Sequence, residues 1–112
     1  MITVYNKLVR DKIPEIINAS GKKANIKYLK GKKYKEALKN KLVEEVNEFL
    51  KAKTKEELLE EFADILEVLY AIDDIIWGDC INTTTEKCCE KHKEKGGFYS
   101  GCYLESVEDI EK

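Results

Sequence analysis

The stretch LVEEVNEF (42–49), a break at Lys53-Thr54-Lys55 and then EEFADILEV (60–68) decides how this chain is read. Both halves carry apolar residues at helical spacing, and each carries two acids three residues apart, Glu45 with Glu48 and Glu61 with Asp64. On an α-helix that spacing leaves two side chains about 60° apart around the axis and about 4.5 Å apart along it. Two such carboxylates can hold one cation between them. Acids on a helix ordinarily line its solvated face, and a chain that is 38% charged produces such pairs by chance. The second pair is placed differently. With Leu58 as the origin of the helical wheel, the main apolar stripe is Leu58, Phe62, Ile65, Leu69 and Ile76, while Glu61 and Asp64 fall among Val68, Ile72 and Ile75. Carboxylates on an apolar flank cost free energy unless a cation pairs with them. A second pair on the preceding helix predicts a shared partner, for which a divalent metal is the economical candidate.

Working outward, Leu38, Leu42, Val46, Phe49 and Leu50 predict a helix over about 34–52 that carries the first acidic pair. Thr54-Lys-Glu-Glu57 has the form of a capping box, in which Thr54 accepts from the backbone and Glu57 reaches back. The apolar run behind it lasts to Trp77, and Gly78 suits its end. Towards the N-terminus, Pro14 suits a first helical turn and Gly21 a stop, which predicts a short helix over about 13–20. Thr83-Thr-Thr-Glu86 repeats the start signal, and Gly96-Gly97 stops a polar helix containing Cys88, Cys89 and His92. Residues 25–30 alternate apolar and polar side chains, and residues 98–104 are rich in aromatics and strand-like in composition, so a small strand pair between them is expected. The fold class is all-α, in one domain spanning 1–112.

A chain of 112 residues with 43% hydrophobic content builds a small core, which oligomerisation would help to stabilise. No apolar run follows Met1 and none approaches about 18 residues, so no membrane partner and a cytoplasmic location are expected. Cys80, Cys88, Cys89 and Cys102 are accordingly read as reduced thiols. Cys88-Cys89-x-x-His92 has zinc's preferred ligand types, but its spacing fits no common zinc pattern, and adjacent helical cysteines point about 100° apart. His92 is the only histidine and no Gly-rich phosphate loop is present, so triads, the E-x-x-H di-iron pattern and Walker or Rossmann sites lack their parts. The net charge of −2 hides a dipole: residues 1–42 hold 12 basic and 3 acidic side chains, residues 43–79 hold 3 and 12. A solvated lysine surface, a nucleic-acid face, or a site for a polyanion arriving with its cation would each account for the basic half.

Glu45-x-x-Glu48 followed by Glu61-x-x-Asp64 resembles the E-x-x-E…E-x-x-D motif of the all-α nucleoside triphosphate pyrophosphatases, the MazG-like group to which phosphoribosyl-ATP pyrophosphohydrolase is related. YNKLVRDKIP (5–14) and KGGF (95–98) also resemble the opening and closing motifs of small stand-alone members, so the similarity spans most of the chain apart from residues 80–94. The resemblance implies an antiparallel helical bundle that converts a nucleoside triphosphate and water to the monophosphate and pyrophosphate with Mg²⁺, including clearance of non-standard nucleotides. It implies Glu45, Glu48, Glu61 and Asp64 as Mg²⁺ ligands. One of the glutamates, Glu48 ahead of Glu45, is the expected general base. Lys7, Arg10, Lys12 and Lys95 are the candidates for the triphosphate, with Asp11 steadying the cations around it, and Phe98 or Tyr5 for stacking on the base. A homodimer or homotetramer is expected. Phosphoribosyl-ATP is the competing substrate, and a non-catalytic helical module that binds nucleic acid or protein through its basic half is the rival class.

Overall fold

The computed structural model describes residues 1–79 and 81–110. Among these the chain forms four helices, α1 (Ile13–Ala19), α2 (Gly31–Lys51), α3 (Lys55–Ile76) and α4 (Asn82–Lys95), and no strand. The fold is all-α. The chain divides into two compact units, the first covering Met1–Ile81 and the second beginning at Asn82.

In the first unit, Pro14 occupies the first turn of α1, where its missing N–H leaves no helical bond unmade. The helix stops as Ser20 turns its hydroxyl onto the Ile17 carbonyl at 2.7 Å and Gly21 takes φ +86°. Helix α2 starts at Gly31, earlier than apolar periodicity indicates, because its first turn is Gly-Lys-Lys and offers no apolar residue to read. Helix α3 opens on Thr54, whose Oγ1 accepts the Glu57 N–H at 3.1 Å. Glu57 Oε2 in turn accepts the Lys53 N–H at 3.0 Å, one residue before the N-cap. At the other end the Trp77 N–H bonds the Asp73 carbonyl at 2.9 Å, and Gly78 leaves the helix at φ +67°.

The principal helix pairing is α2 against α3. Three residues, Ala52 to Thr54, connect them, which forces the chain to reverse. Phe49 near the end of α2 accordingly meets Phe62 near the start of α3, ring centroids 6.3 Å apart. The core between them is thin: among the described residues only Leu38 and Val68 are buried hydrophobics, alongside buried Glu45 and Asp73.

The face of α3 that turns inward is the flank carrying Glu61 and Asp64, with Val68 8% exposed and Ile72 and Ile75 half-buried. Of the main apolar stripe, Ile65 is half-buried, while Phe62 (52%) and Ile76 (49%) stay exposed beside Leu58 and Leu69. A wheel gives the angle between side chains; which flank is covered depends on where α2 lies. The strand pair also does not form. Residues 25–30 run into α2 with Lys30 extended (φ −138°, ψ 158°), but an extended segment becomes a strand only when a neighbour completes its hydrogen-bond ladder.

In the second unit α4 buries no side chain and ends where the Gly96 N–H bonds the His92 carbonyl at 2.8 Å. A Cβ at Gly97 would come within 2.7 Å of the Tyr99 ring, so the second glycine makes room for that aromatic. Cys88, Cys89 and Cys102 are exposed free thiols, and Cys80 lies outside the described residues. Among the described residues no helix is long and apolar enough to cross a membrane.

Candidate metal centre

The reversal between α2 and α3 sets Glu45, six residues from the end of one helix, across from Glu61 and Asp64 in the second and third turns of the other. One carboxylate oxygen from each of the three lies within 4.8 Å of the other two. Among the described residues this is the one group of three or more acidic, histidine or cysteine side chains close enough to hold a metal ion. Glu45 is buried, and Glu61 and Asp64 are half-buried. Glu48, expected as a fourth ligand, is exposed and outside the trio.

The Glu61 carboxyl pKa is pushed up, first by desolvation and then by the charges of Asp64, Glu45, Glu48 and Glu60. The donor set suits a hard divalent cation. Oxygens about 2.1 Å from a Mg²⁺ stand no more than about 4.2 Å from one another, so a spread of up to 4.8 Å closes with small side-chain rotations.

Cations from the chain itself surround the trio. Arg10 Nη2 bonds Asp64 Oδ1 at 2.7 Å, across 54 residues of sequence. That hydrogen bond, with added attraction from Asp64, Glu67 and Glu45, holds the guanidinium more firmly protonated than usual. Lys41 Nζ lies 3.3 Å from Glu45 Oε1 and 3.2 Å from Glu44 Oε1, and Lys7 Nζ reaches the same Glu44 oxygen at 3.7 Å. Of the three basic residues expected to meet phosphate in the opening motif, Lys7 and Arg10 therefore stand at the acids, while Lys12 is an exposed N-cap of α1. The carboxylates that engage Lys7 and Arg10 are Glu44 and Asp64; Asp11, expected to steady them, sits exposed in the turn that precedes α1. Lys7 also lies over the Tyr5 ring, 5.8 Å from its centroid. Lys95 is the last residue of α4 and Phe98 is fully exposed, both in the second unit.

Two residues at the site went unnoticed in the sequence, Lys41 and Glu44. A lysine four residues before Glu45 is the helical pairing distance, and that spacing would have found it. No family model, curated protein or solved structure matches the chain.

Proposed function

We propose that this protein is a Mg²⁺-dependent nucleoside triphosphate pyrophosphohydrolase of the MazG-like type, acting in the cytoplasm as a homo-oligomer. The observation that carries the reading is the meeting of Glu45, Glu61 and Asp64 from two helices within 4.8 Å, at a place where uncompensated carboxylates are unfavourable. A solvated acidic face would not put a buried glutamate there.

Glu45, Glu61 and Asp64 would hold the cation, which supplies Lewis-acid neutralisation of phosphate charge when bound. Glu48, exposed beside the trio, takes the role of orienting water and accepting its proton. Water adds across the anhydride between the α and β phosphates: its oxygen joins one phosphorus and the bridging oxygen leaves with the other. Monophosphate and pyrophosphate result. Arg10, at Asp64, and Lys7, at the neighbouring Glu44, supply positive charge for a triphosphate. The open stripe of Leu58, Phe62, Leu69 and Ile76 and the small buried core support self-association.

The test is pyrophosphate release from a panel of common and modified nucleoside triphosphates, phosphoribosyl-ATP included, with and without Mg²⁺. Turnover that needs Mg²⁺ and is lost in Glu61→Gln supports the assignment. Salt-sensitive binding of nucleic acid without turnover would replace it with a binding module.

A further inference from the structure

We infer that Arg10 is a built-in counter-ion for the acidic trio, and that the segment carrying it is a strap released when a divalent cation takes its place. This rests on the reading of Glu45, Glu61 and Asp64 as a cation site.

The strap is clipped at two points, one on each helix of the pair. Lys7 meets Glu44 on α2, and Arg10 meets Asp64 on α3. Between Tyr5 and Lys7 the chain turns sharply, with Asn6 at φ +46°, so the two cations arrive from one bend. Little else holds this segment. Met1, Ile2, Val4 and Tyr5 are exposed, Leu8 is only half-buried, and α1, which follows, buries no residue. Exposed ion pairs are individually weak, and both clips are more than a third exposed on each side. A segment held in this way is opened by anything that competes for its acids.

The competition is for one carboxylate. Arg10 Nη2 takes Asp64 Oδ1, one of the two oxygens that this carboxylate can offer a cation. A guanidinium spreads one charge over a planar group, whereas a divalent ion concentrates two, and three carboxylates favour the second. Cation binding and strap attachment are therefore negatively coupled, and by reciprocity each weakens the other by the same factor. Released from Asp64, Arg10 becomes free to meet an anion beside the cation, so the resting strap would also keep the acids quiet until a metal–nucleotide complex arrives.

The experiment is a Mn²⁺ titration of the intact protein, with free Mn²⁺ read by electron paramagnetic resonance, on wild type, Arg10→Gln and Lys22→Gln. Arg10→Gln is expected to lower the Kd for Mn²⁺ at least about fivefold, and Lys22→Gln, one charge removed away from the site, to change it less than about twofold. A second measurement needs no variant: trypsin cleavage after Lys7 and Arg10 of wild type, followed by mass spectrometry, should speed up at least about threefold on adding saturating Mg²⁺. Equal or weaker Mn²⁺ binding by Arg10→Gln, or cleavage indifferent to Mg²⁺, overturns the strap. If wild type then still binds Mn²⁺ in a Glu61→Gln-sensitive way, the cation site stands without it. Absence of binding in both wild type and Arg10→Gln removes the site and the strap together.

Discussion

Lys41→Met takes away the cation that Glu45 faces inside α2 while keeping most of the aliphatic stem, so its effect isolates the charge. Ion pairs on an open surface contribute about 0.2–1 kcal/mol, and breaking a buried one costs about 3–5 kcal/mol. The Lys41 and Glu45 side chains are 16% and 12% exposed, which places this pair between those limits. Glu45 would also be left facing Glu61 and Asp64 without its own counter-ion. We expect a loss of about 2 kcal/mol in the metal-free protein at pH 7, or about 8 °C in Tm for a domain of this size. Urea and thermal unfolding followed by circular dichroism at 222 nm measure it. Glu45→Gln in the same background should recover most of the loss, and saturating Mg²⁺ should reduce the deficit to under about 1 kcal/mol by supplying the missing positive charge. A loss below about 0.5 kcal/mol, or an equal loss with Gln at position 45, would refute the idea that this lysine neutralises a buried carboxylate.

Folding raises the Glu61 pKa, so protonation is easier in the native than in the unfolded chain. Its contribution to stability is fully present below the ordinary carboxylate range and is lost as pH rises through the raised native pKa. The difference in unfolding free energy between wild type and Glu61→Gln should therefore move against wild type as pH rises from about 4 to 7, and a difference that is flat or of opposite slope would contradict the raised pKa. Arg10→Ala should lower kcat/KM for the triphosphate at saturating Mg²⁺ at least about tenfold, the worth of one charge-assisted phosphate contact, whereas removing Lys22 and Lys23 together at the same ionic strength should change it less than about threefold. Equal losses would mean that only the overall positive field matters. Replacing Cys88, Cys89 and Cys102 by Ser should leave turnover within a few-fold, since all three are exposed free thiols. Stoichiometric zinc lost together with folding on chelation would count against that.

The parts of this fold legible in the sequence are those set by neighbours along the chain. Thr54 and Glu57 announce the start of α3, Gly78 its end, and Pro14 with Gly21 bracket α1, because caps and turns depend on a few consecutive residues. The meeting of Glu45 with Glu61 and Asp64 was legible too, since a short connection between two amphipathic helices brings their facing acids together. Long-range partners were not. Nothing near Arg10 points to a carboxylate 54 residues away, and Asp11, adjacent in sequence, looked the better partner. Lys41 was hidden among the many lysines of the basic half although its spacing to Glu45 was readable. Residues 25–30 have a strand's alternation without a ladder partner, and the exposed flank of α3 is apolar enough to pass for the buried one.

The central claim is that three carboxylates on two helices hold a cation for nucleotide hydrolysis. The most direct measurement is pyrophosphate released from nucleoside triphosphates by wild type, Glu61→Gln and Asp64→Asn, with Mg²⁺ titrated from zero, and with helicity of each variant checked by circular dichroism. The expected result is turnover in wild type that rises with Mg²⁺ and falls by at least about a hundredfold in both folded variants. Full Mg²⁺-dependent turnover in both variants, or none in wild type across the nucleotide panel, would contradict it.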